Sequence, residues 1–130
     1  MALTGWVEPD QVVWRGVRWA RKGNLLVKYG EATNGSTLIY TVPAGRTFYL
    51  VGSMLCPTNF NNGHGRGYIR DASDTIRFSL GFCGAGSGQG TCAIAFQPSA
   101  PLEVPEGYDF VVFSNAAGYT ASLSFFGWEE

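Results

Sequence analysis

Short runs of apolar or alternating residues, separated by turn-forming residues at regular intervals, occupy the chain from Leu25 onward. This pattern is typical of strands in a sandwich or barrel, because alternation places every second side chain on one face of a sheet. It predicts an all-β sandwich of about eight strands, or nine if the shortest run also pairs. The predicted strands cover residues 25–29, 36–42, 47–57, 67–71, 75–81, 92–97, 102–104, 108–114 and 120–128.

A seven-residue pattern, V-P-x-G-x-x-F, occurs twice, from Val42 to Phe48 and from Val104 to Phe110. In each copy the proline ends a strand, since it cannot donate to a ladder, and the glycine supplies an unusual φ. The phenylalanine then begins a strand that returns to the core. Two equivalent corners about sixty residues apart are typical of the paired Greek keys that build a jelly roll.

The connections between the predicted strands are rich in glycine and asparagine. We expect residues 59–67, NFNNGHGRG, to form a long polar loop, and Asp71 and Asp74 to bond nearby backbone amides in a tight turn. The glycine-rich stretch 84–90, GAGSGQG, lacks the lysine of a phosphate-binding loop and precedes a predicted strand rather than a helix. We therefore expect no nucleotide site there.

Residues 1–24 differ in kind from the predicted sandwich domain, residues 25–130. They carry three of the four tryptophans and four of the nine basic residues, and their periodicity fits both a helix and a strand. Because large aromatic residues and arginines dominate protein interfaces, the composition favours an extended attachment arm. The alternative is that the segment covers its own sandwich. As an arm, it would bind a partner through Trp6, Trp14, Arg15, Arg18 and Trp19.

The composition limits the classes of partner. The chain has 130 residues, of which 45% are apolar and 15% charged, so it can bury a core as a single domain. A formal net charge of -1 provides no overall attraction to nucleic acid or to anionic membranes. The arginines and tryptophans of residues 14–22 would suit an acidic protein surface as well as nucleic acid, and no nucleic-acid motif accompanies them. No apolar run is long enough for a membrane-spanning helix, and residues 1–11 lack the pattern of a signal peptide.

Groups that catalyse reactions are scarce in this sequence. The single histidine, His64, falls in the predicted polar loop, where a catalytic base would be poorly held. Cys56, Cys83 and Cys92 form no C-x-x-C pair, so we expect neither a metal nor another cofactor. Cys83 and Cys92 either form a bridge across the glycine-rich stretch or are buried thiols. The sequence therefore predicts a protein that binds and assembles rather than an enzyme.

Residues 37–53, TLIYTVPAGRTFYLVGS, and 101–115, PLEVPEGYDFVVFSN, resemble segments of small jelly-roll virion proteins of tailed bacteriophages. The resemblance implies a capsid decoration (cement) protein, or a head-fibre or tail-associated module, found in the virion and assembled in the host cytoplasm. Such jelly rolls commonly form homotrimers, in which a terminal arm reaches over the capsid lattice or a neighbouring subunit. The implied partner is the major capsid protein or another virion protein.

The alternative function is that of a glycan-binding module, as at the tip of a phage fibre that recognises a host surface polysaccharide. Exposed aromatic rings in such modules stack on sugars, and loops present them. Binding of glycans would separate this function from capsid decoration, which does not require it. The residues that would carry it are Phe60, Asn61, Asn62, His64, Arg66 and Tyr119.

Overall fold

The computed structural model of the protein describes residues 11–14, 17–20, 24–85 and 93–130. Within these residues there are eleven strands and no helix, and therefore no helix long and apolar enough to cross a membrane. The strands are β1 (Gln11–Trp14), β2 (Val17–Ala20), β3 (Asn24–Thr33), β4 (Gly35–Thr41), β5 (Phe48–Phe60), β6 (Gly63–Arg70), β7 (Ile76–Ala85), β8 (Ile94–Phe96), β9 (Leu102–Val104), β10 (Asp109–Ser114) and β11 (Tyr119–Glu129).

Strands β3 to β11 form two antiparallel sheets that pack face to face. The four-stranded sheet has the order β4-β10-β6-β7, and the five-stranded sheet has the order β3-β11-β5-β8, with β9 also pairing with β5. Early strands pair with late strands in reverse order: β3 with β11, β4 with β10, β5 with β8 and β9, and β6 with β7. This rolled-up arrangement is the topology of a jelly roll, so the predicted all-β sandwich is confirmed.

Several strands are longer than the sequence pattern indicates, and β3 shows why. Its predicted end is residue 29, but it continues to pair with β11 as far as Thr33. A Cβ on Gly30 would lie 2.6 Å from Cγ1 of Ile39 on β4. Glycine is therefore a packing residue inside the strand here, where the sequence suggests a strand end.

The core between the sheets is built around three phenylalanine rings. Phe110 and Phe125 are stacked with 4.1 Å between ring centroids, and Phe48 meets both edge-on at 5.4 and 5.9 Å. All three side chains are at most 1% exposed. Burial of one such side chain contributes roughly 1.5–3 kcal/mol. Phe48 and Phe110 end the two repeated patterns, so the repeats supply two of the three rings.

The two repeated corners lie side by side and hydrogen-bond to each other. Each contains a turn closed by the carbonyl of its proline, with Gly45 at φ 75° and Gly107 at φ 77°. Those angles favour glycine, because a Cβ is strained in the left-handed region. Val42 donates its N–H to the carbonyl of Tyr108, and its own carbonyl accepts the N–H of Gly107, both at 2.9 Å. The corners therefore tie together the starts of β5 and β10.

The expectation of a long polar loop at residues 59–67 is wrong. Only Asn61 and Asn62 form a turn, and the residues on either side belong to β5 and β6. β6 starts at Gly63 and pairs with β7 on one side and with β10 on the other. Consequently, His64 lies on a central strand and not in a loop.

Three alternating glycines explain why β6 looks like a loop in the sequence. Gly63, Gly65 and Gly67 face β11 of the other sheet, and a Cβ on Gly65 would lie only 2.4 Å from Cβ of Ala121. The two sheets come too close here for side chains on the inner face of β6. The inward positions are therefore glycines, and the polar residues between them point outward.

Replacement of Gly107 by alanine is expected to lower the free energy of unfolding by about 1–2 kcal/mol, the cost of a side chain at a left-handed φ. The space itself is open, since the nearest atom to an added Cβ, Cβ of Ala72, is 3.8 Å away. Gly84→Ala is the matched control, because its Cβ would also meet nothing nearer than 3.7 Å and its φ is not positive. Urea unfolding measures both, and equal stabilities of the two variants would contradict the role of the corner.

Candidate functional site

Five side chains form a patch on the outer face of the four-stranded sheet, which we call the aromatic platform. Its central column belongs to β6, and its flanks belong to β7 and β10. The register places Arg66 directly between Phe82 and Phe113. The members of the platform are His64, Arg66, Tyr68, Phe82 and Phe113.

The rings of the aromatic platform lie close enough to form one surface. The His64 ring is 5.1 Å from the Phe82 ring and 6.1 Å from the Phe113 ring, measured between centroids. The Arg66 guanidinium lies over the Tyr68 ring at 5.2 Å, which is a cation–π contact. Phe82 is 56% exposed, so its ring is accessible to a ligand.

Arg66 differs from its neighbouring arginines in its electrostatic surroundings. Nε of Arg70 lies 3.1 Å from Oδ2 of Asp109, and Nε of Arg77 lies 2.6 Å from Oδ2 of Asp71. In the described part of the chain, no carboxylate oxygen lies within 4.0 Å of a side-chain nitrogen of Arg66. The platform can therefore stack against a ring-shaped ligand and bind an anion beside it.

The structure brings together some of the predicted glycan-binding residues. His64 and Arg66 lie next to each other on the outer face of β6, and Asn61 and Asn62 form the exposed turn that precedes it. These four residues share one end of the sandwich, although most of the loop that was expected to hold them is strand.

Tyr119 begins β11 directly after the turn at residues 115–118, near a loop as expected, but its side chain points to the inside of the protein, where a glycan cannot reach it. Its side chain is 0% exposed, and its hydroxyl donates a hydrogen bond to the carbonyl of Cys83 at 3.2 Å. The reason is the shape of β6, because Gly63 and Gly65 leave room for the Tyr119 ring beneath the strand. Phe60 pairs with Tyr119 at the end of β5, and its side chain lies outside the described part of the structure.

Phe82 and Phe113 are not among the predicted binding residues, and the predicted strand 75–81 ends just before Phe82. Alternation from Phe78 and Leu80, which face inward, predicts the same for Phe82. A bulge reverses this: Tyr68 pairs with Ser79 and Gly67 pairs with Gly81, so β7 has one extra residue. Bulges re-aim side chains in this way. The signal in the sequence is a glycine inside a strand, Gly81, which has φ 149°.

A second candidate surface, which we call the apolar groove, lies on the outer face of the five-stranded sheet. The register places Val27, Phe126 and Gly52 side by side on β3, β11 and β5. Val27 is 74% exposed, Met54 48% and Phe126 40%. The groove has a volume of about 260 Å³, and every residue that lines it is uncharged.

Gly52 shapes the apolar groove by its lack of a side chain. A Cβ at this position would lie 2.9 Å from Cε1 of Phe126. The Phe126 ring therefore lies across the backbone of β5, and the groove runs beside it. A contiguous exposed apolar surface of this kind is a candidate interaction site.

The predicted attachment arm contains a β-hairpin. β1 and β2 pair only with each other among the described strands, with Val12 opposite Trp19 and Trp14 opposite Val17. Residues two apart share a face of a strand, so these four positions lie on one face of the hairpin.

Of the predicted arm residues, Trp6 and Arg15 lie outside the described residues. Arg18 lies opposite Val13, on the other face of the hairpin from Trp14 and Trp19. Within the described elements, no Cα atom of the hairpin lies within 8 Å of a strand of the sandwich.

The Asp71 side chain bonds backbone amides in the turn between β6 and β7, as predicted. Its Oδ1 accepts the backbone N–H groups of Ser73 at 2.9 Å and Thr75 at 3.0 Å, and its Oδ2 accepts Nε of Arg77. The bond from Thr75 and the pairing with Arg77 hold the pKa of the Asp71 carboxyl below its ordinary value. Asp74, with φ 61°, completes the turn.

Comparisons with protein-family models and with curated proteins find no match to this chain. The chemistry available to the protein must therefore be argued from its own residues. Within the described residues, no three histidine, cysteine, aspartate or glutamate side chains are grouped to hold a metal ion. Cys83 is buried and Cys92 lies outside the described residues, so a bridge between them stays a prediction.

Asp71→Asn is expected to lower the melting temperature at pH 7, and this difference from the native chain should shrink as the pH falls below about 4. A carboxyl with a lowered pKa stabilises the fold above its unfolded pKa, and the stabilisation is lost as the pH falls through the folded value. Asp74→Asn is the control, since that side chain is 76% exposed and asparagine also adopts its φ. Thermal unfolding at a series of pH values measures both variants, and a pH-independent difference for Asp71→Asn would contradict this account.

Proposed function

We propose that the protein is a structural subunit of a virus particle, which decorates and stabilises the capsid as an oligomer. The observation that supports this most is the apolar groove, an exposed and uncharged surface on a small jelly roll. The hairpin, which forms a sheet of its own and carries Trp14 and Trp19, is the second candidate surface. A subunit that works by assembly needs such surfaces, and the resemblance of residues 37–53 and 101–115 to virion proteins suggests what is assembled.

The apolar groove suits a second copy of the chain. Burying its uncharged lining residues requires no ion to leave water, so an apolar partner surface can cover it at little electrostatic cost. β3 runs along the groove and, among the described strands, pairs on one side only, with β11. Open sheet edges beside apolar residues are common places for subunits to meet. The resemblance predicts that the oligomer is a trimer.

The hairpin suits attachment to the capsid. Only three residues, 21–23, separate the hairpin from β3 in the sequence. The hairpin nevertheless forms a sheet of its own and does not extend the sheet that bears the groove. In an oligomer, several hairpins would bind one capsid lattice, and linked weak contacts give strong attachment. Because they would bind the assembled lattice and not its separated parts, they would stabilise the assembled state.

Deletion of residues 1–23, which keeps β3 whole, is expected to abolish co-sedimentation with capsids of the virus that encodes the protein. The double variant Trp14→Ala/Trp19→Ala should bind at least about tenfold more weakly, because large aromatic residues dominate interface energies. Gln11→Ala, on the opposite face of the hairpin, is the control and should bind normally. Full binding by the deleted chain would contradict the proposal.

Val27→Glu is expected to shift the protein from oligomer to monomer, because the charge would have to be buried in the apolar groove. Ser36→Glu, an exposed position on β4 of the other sheet, adds the same charge outside the groove and should leave the oligomer intact. Light scattering coupled to size-exclusion chromatography measures the mass of each. A monomeric native chain, or an oligomer that survives Val27→Glu, would rule out self-association through the groove.

A further inference from the structure

We infer that the aromatic platform binds an acidic polysaccharide, that is, a chain of sugar rings that carry carboxylates. This activity goes beyond capsid decoration and does not rest on it. It uses the outer face of the four-stranded sheet, whereas the apolar groove lies on the outer face of the five-stranded sheet and the hairpin forms a sheet of its own.

The exposed ring of Phe82 and the half-buried rings beside it favour a ligand with a flat apolar face. Phe82 is 56% exposed and lies beside His64 and near Phe113, so the rings cover several adjoining positions of the sheet. The C–H groups on the face of a sugar ring carry partial positive charge, which the electron-rich face of an aromatic ring attracts. A sugar over Phe82 would also remove apolar surface from water.

The charge of the platform favours an anionic sugar over a neutral one. Arg66 lies between Phe82 and Phe113 in the register, and in the described structure it has no carboxylate partner. The contact of its guanidinium with the Tyr68 ring leaves the charge uncompensated by an acid. A guanidinium matches a carboxylate with two parallel hydrogen bonds, so a uronic acid fits both the rings and the arginine.

The platform is held in place before a ligand binds. β6 is hydrogen-bonded on both sides, and its inner face packs against β11 through Gly65. Next to the platform, Oδ1 of Asn115 accepts the His64 N–H at 2.7 Å, and the Asn115 N–H donates to the His64 carbonyl at 3.0 Å. Binding to a rigid surface loses little conformational entropy, which favours a weakly interacting ligand such as a sugar.

Single-stranded nucleic acid is the competing ligand, because bases also stack on aromatic rings and arginine. Its binding depends on a groove of several cations that follows the phosphates. Arg70 and Arg77 are paired with aspartates, which leaves Arg66 as the cation of the platform. One such cation suits carboxylates spaced along a sugar chain better than a continuous phosphate backbone.

The test is isothermal titration calorimetry of the full chain with four probes: polygalacturonate, hyaluronate, neutral dextran and an oligothymidylate. We expect binding to at least one of the two carboxylated polysaccharides and no binding to dextran or to the oligonucleotide. Arg66→Gln and Phe82→Ala should each weaken that binding about tenfold, the usual effect of losing one charge-assisted or stacking contact. The matched controls are Arg46→Gln, an exposed arginine at the first corner, and Ile76→Ala, an exposed residue at the other end of β7.

Four results would overturn the inference: no binding of either acidic polysaccharide, equal binding of dextran, preference for the oligonucleotide, or the same loss in the controls as in the platform variants. Melting temperatures show whether each variant is folded, which we expect because all the altered side chains face outward. Co-sedimentation of Arg66→Gln with capsids should be unchanged. Failure of glycan binding and failure of capsid attachment are therefore separate results.

Discussion

The close contact between β6 and β11 determines which residues the protein presents to its surroundings. A Cβ on Gly65 would lie 2.4 Å from Cβ of Ala121, so the side chains of β11 pack directly against the backbone of β6, which contributes none of its own at this point. With the inner face of β6 restricted to glycine at its start, His64 and Arg66 occupy the outer face. On the other side, β11 places Phe126 on the outer face of its own sheet, beside the apolar groove. Both candidate surfaces thus depend on the same pair of strands.

The two ends of the sandwich have different roles. At one end, the repeated corners bond to each other through Val42, Gly107 and Tyr108, and the phenylalanines that follow them form the centre of the core. β5 starts at the first corner and ends at the Asn61–Asn62 turn. The first residues of β6 follow that turn, and the platform begins there.

The sequence predicts the sheet content well, because every predicted strand contains side chains that must be buried on one face. The repeated V-P-x-G-x-x-F pattern predicts the jelly roll, since proline and a left-handed glycine act locally and need no tertiary information. β6 is different, because its inward glycines make sense only when β11 is known to lie a few ångströms away. The exposure of Phe82 cannot be predicted for a related reason: the bulge at Gly81 turns its side chain outward, whereas alternation alone would place it in the core. Tyr119 is buried because of space left by β6, which no local pattern records.

In the proposed function, the protein is a jelly roll whose hairpin attaches to the capsid, whose apolar groove meets other copies and whose aromatic platform faces solvent. A reconstruction of the virus particle by electron cryomicroscopy tests this most directly. It should show oligomers on the outer capsid surface, with the hairpins against the shell, the apolar grooves between copies and the aromatic platforms exposed to solvent. Particles without these oligomers, or hairpins folded against their own sandwich and touching no neighbour, would contradict it.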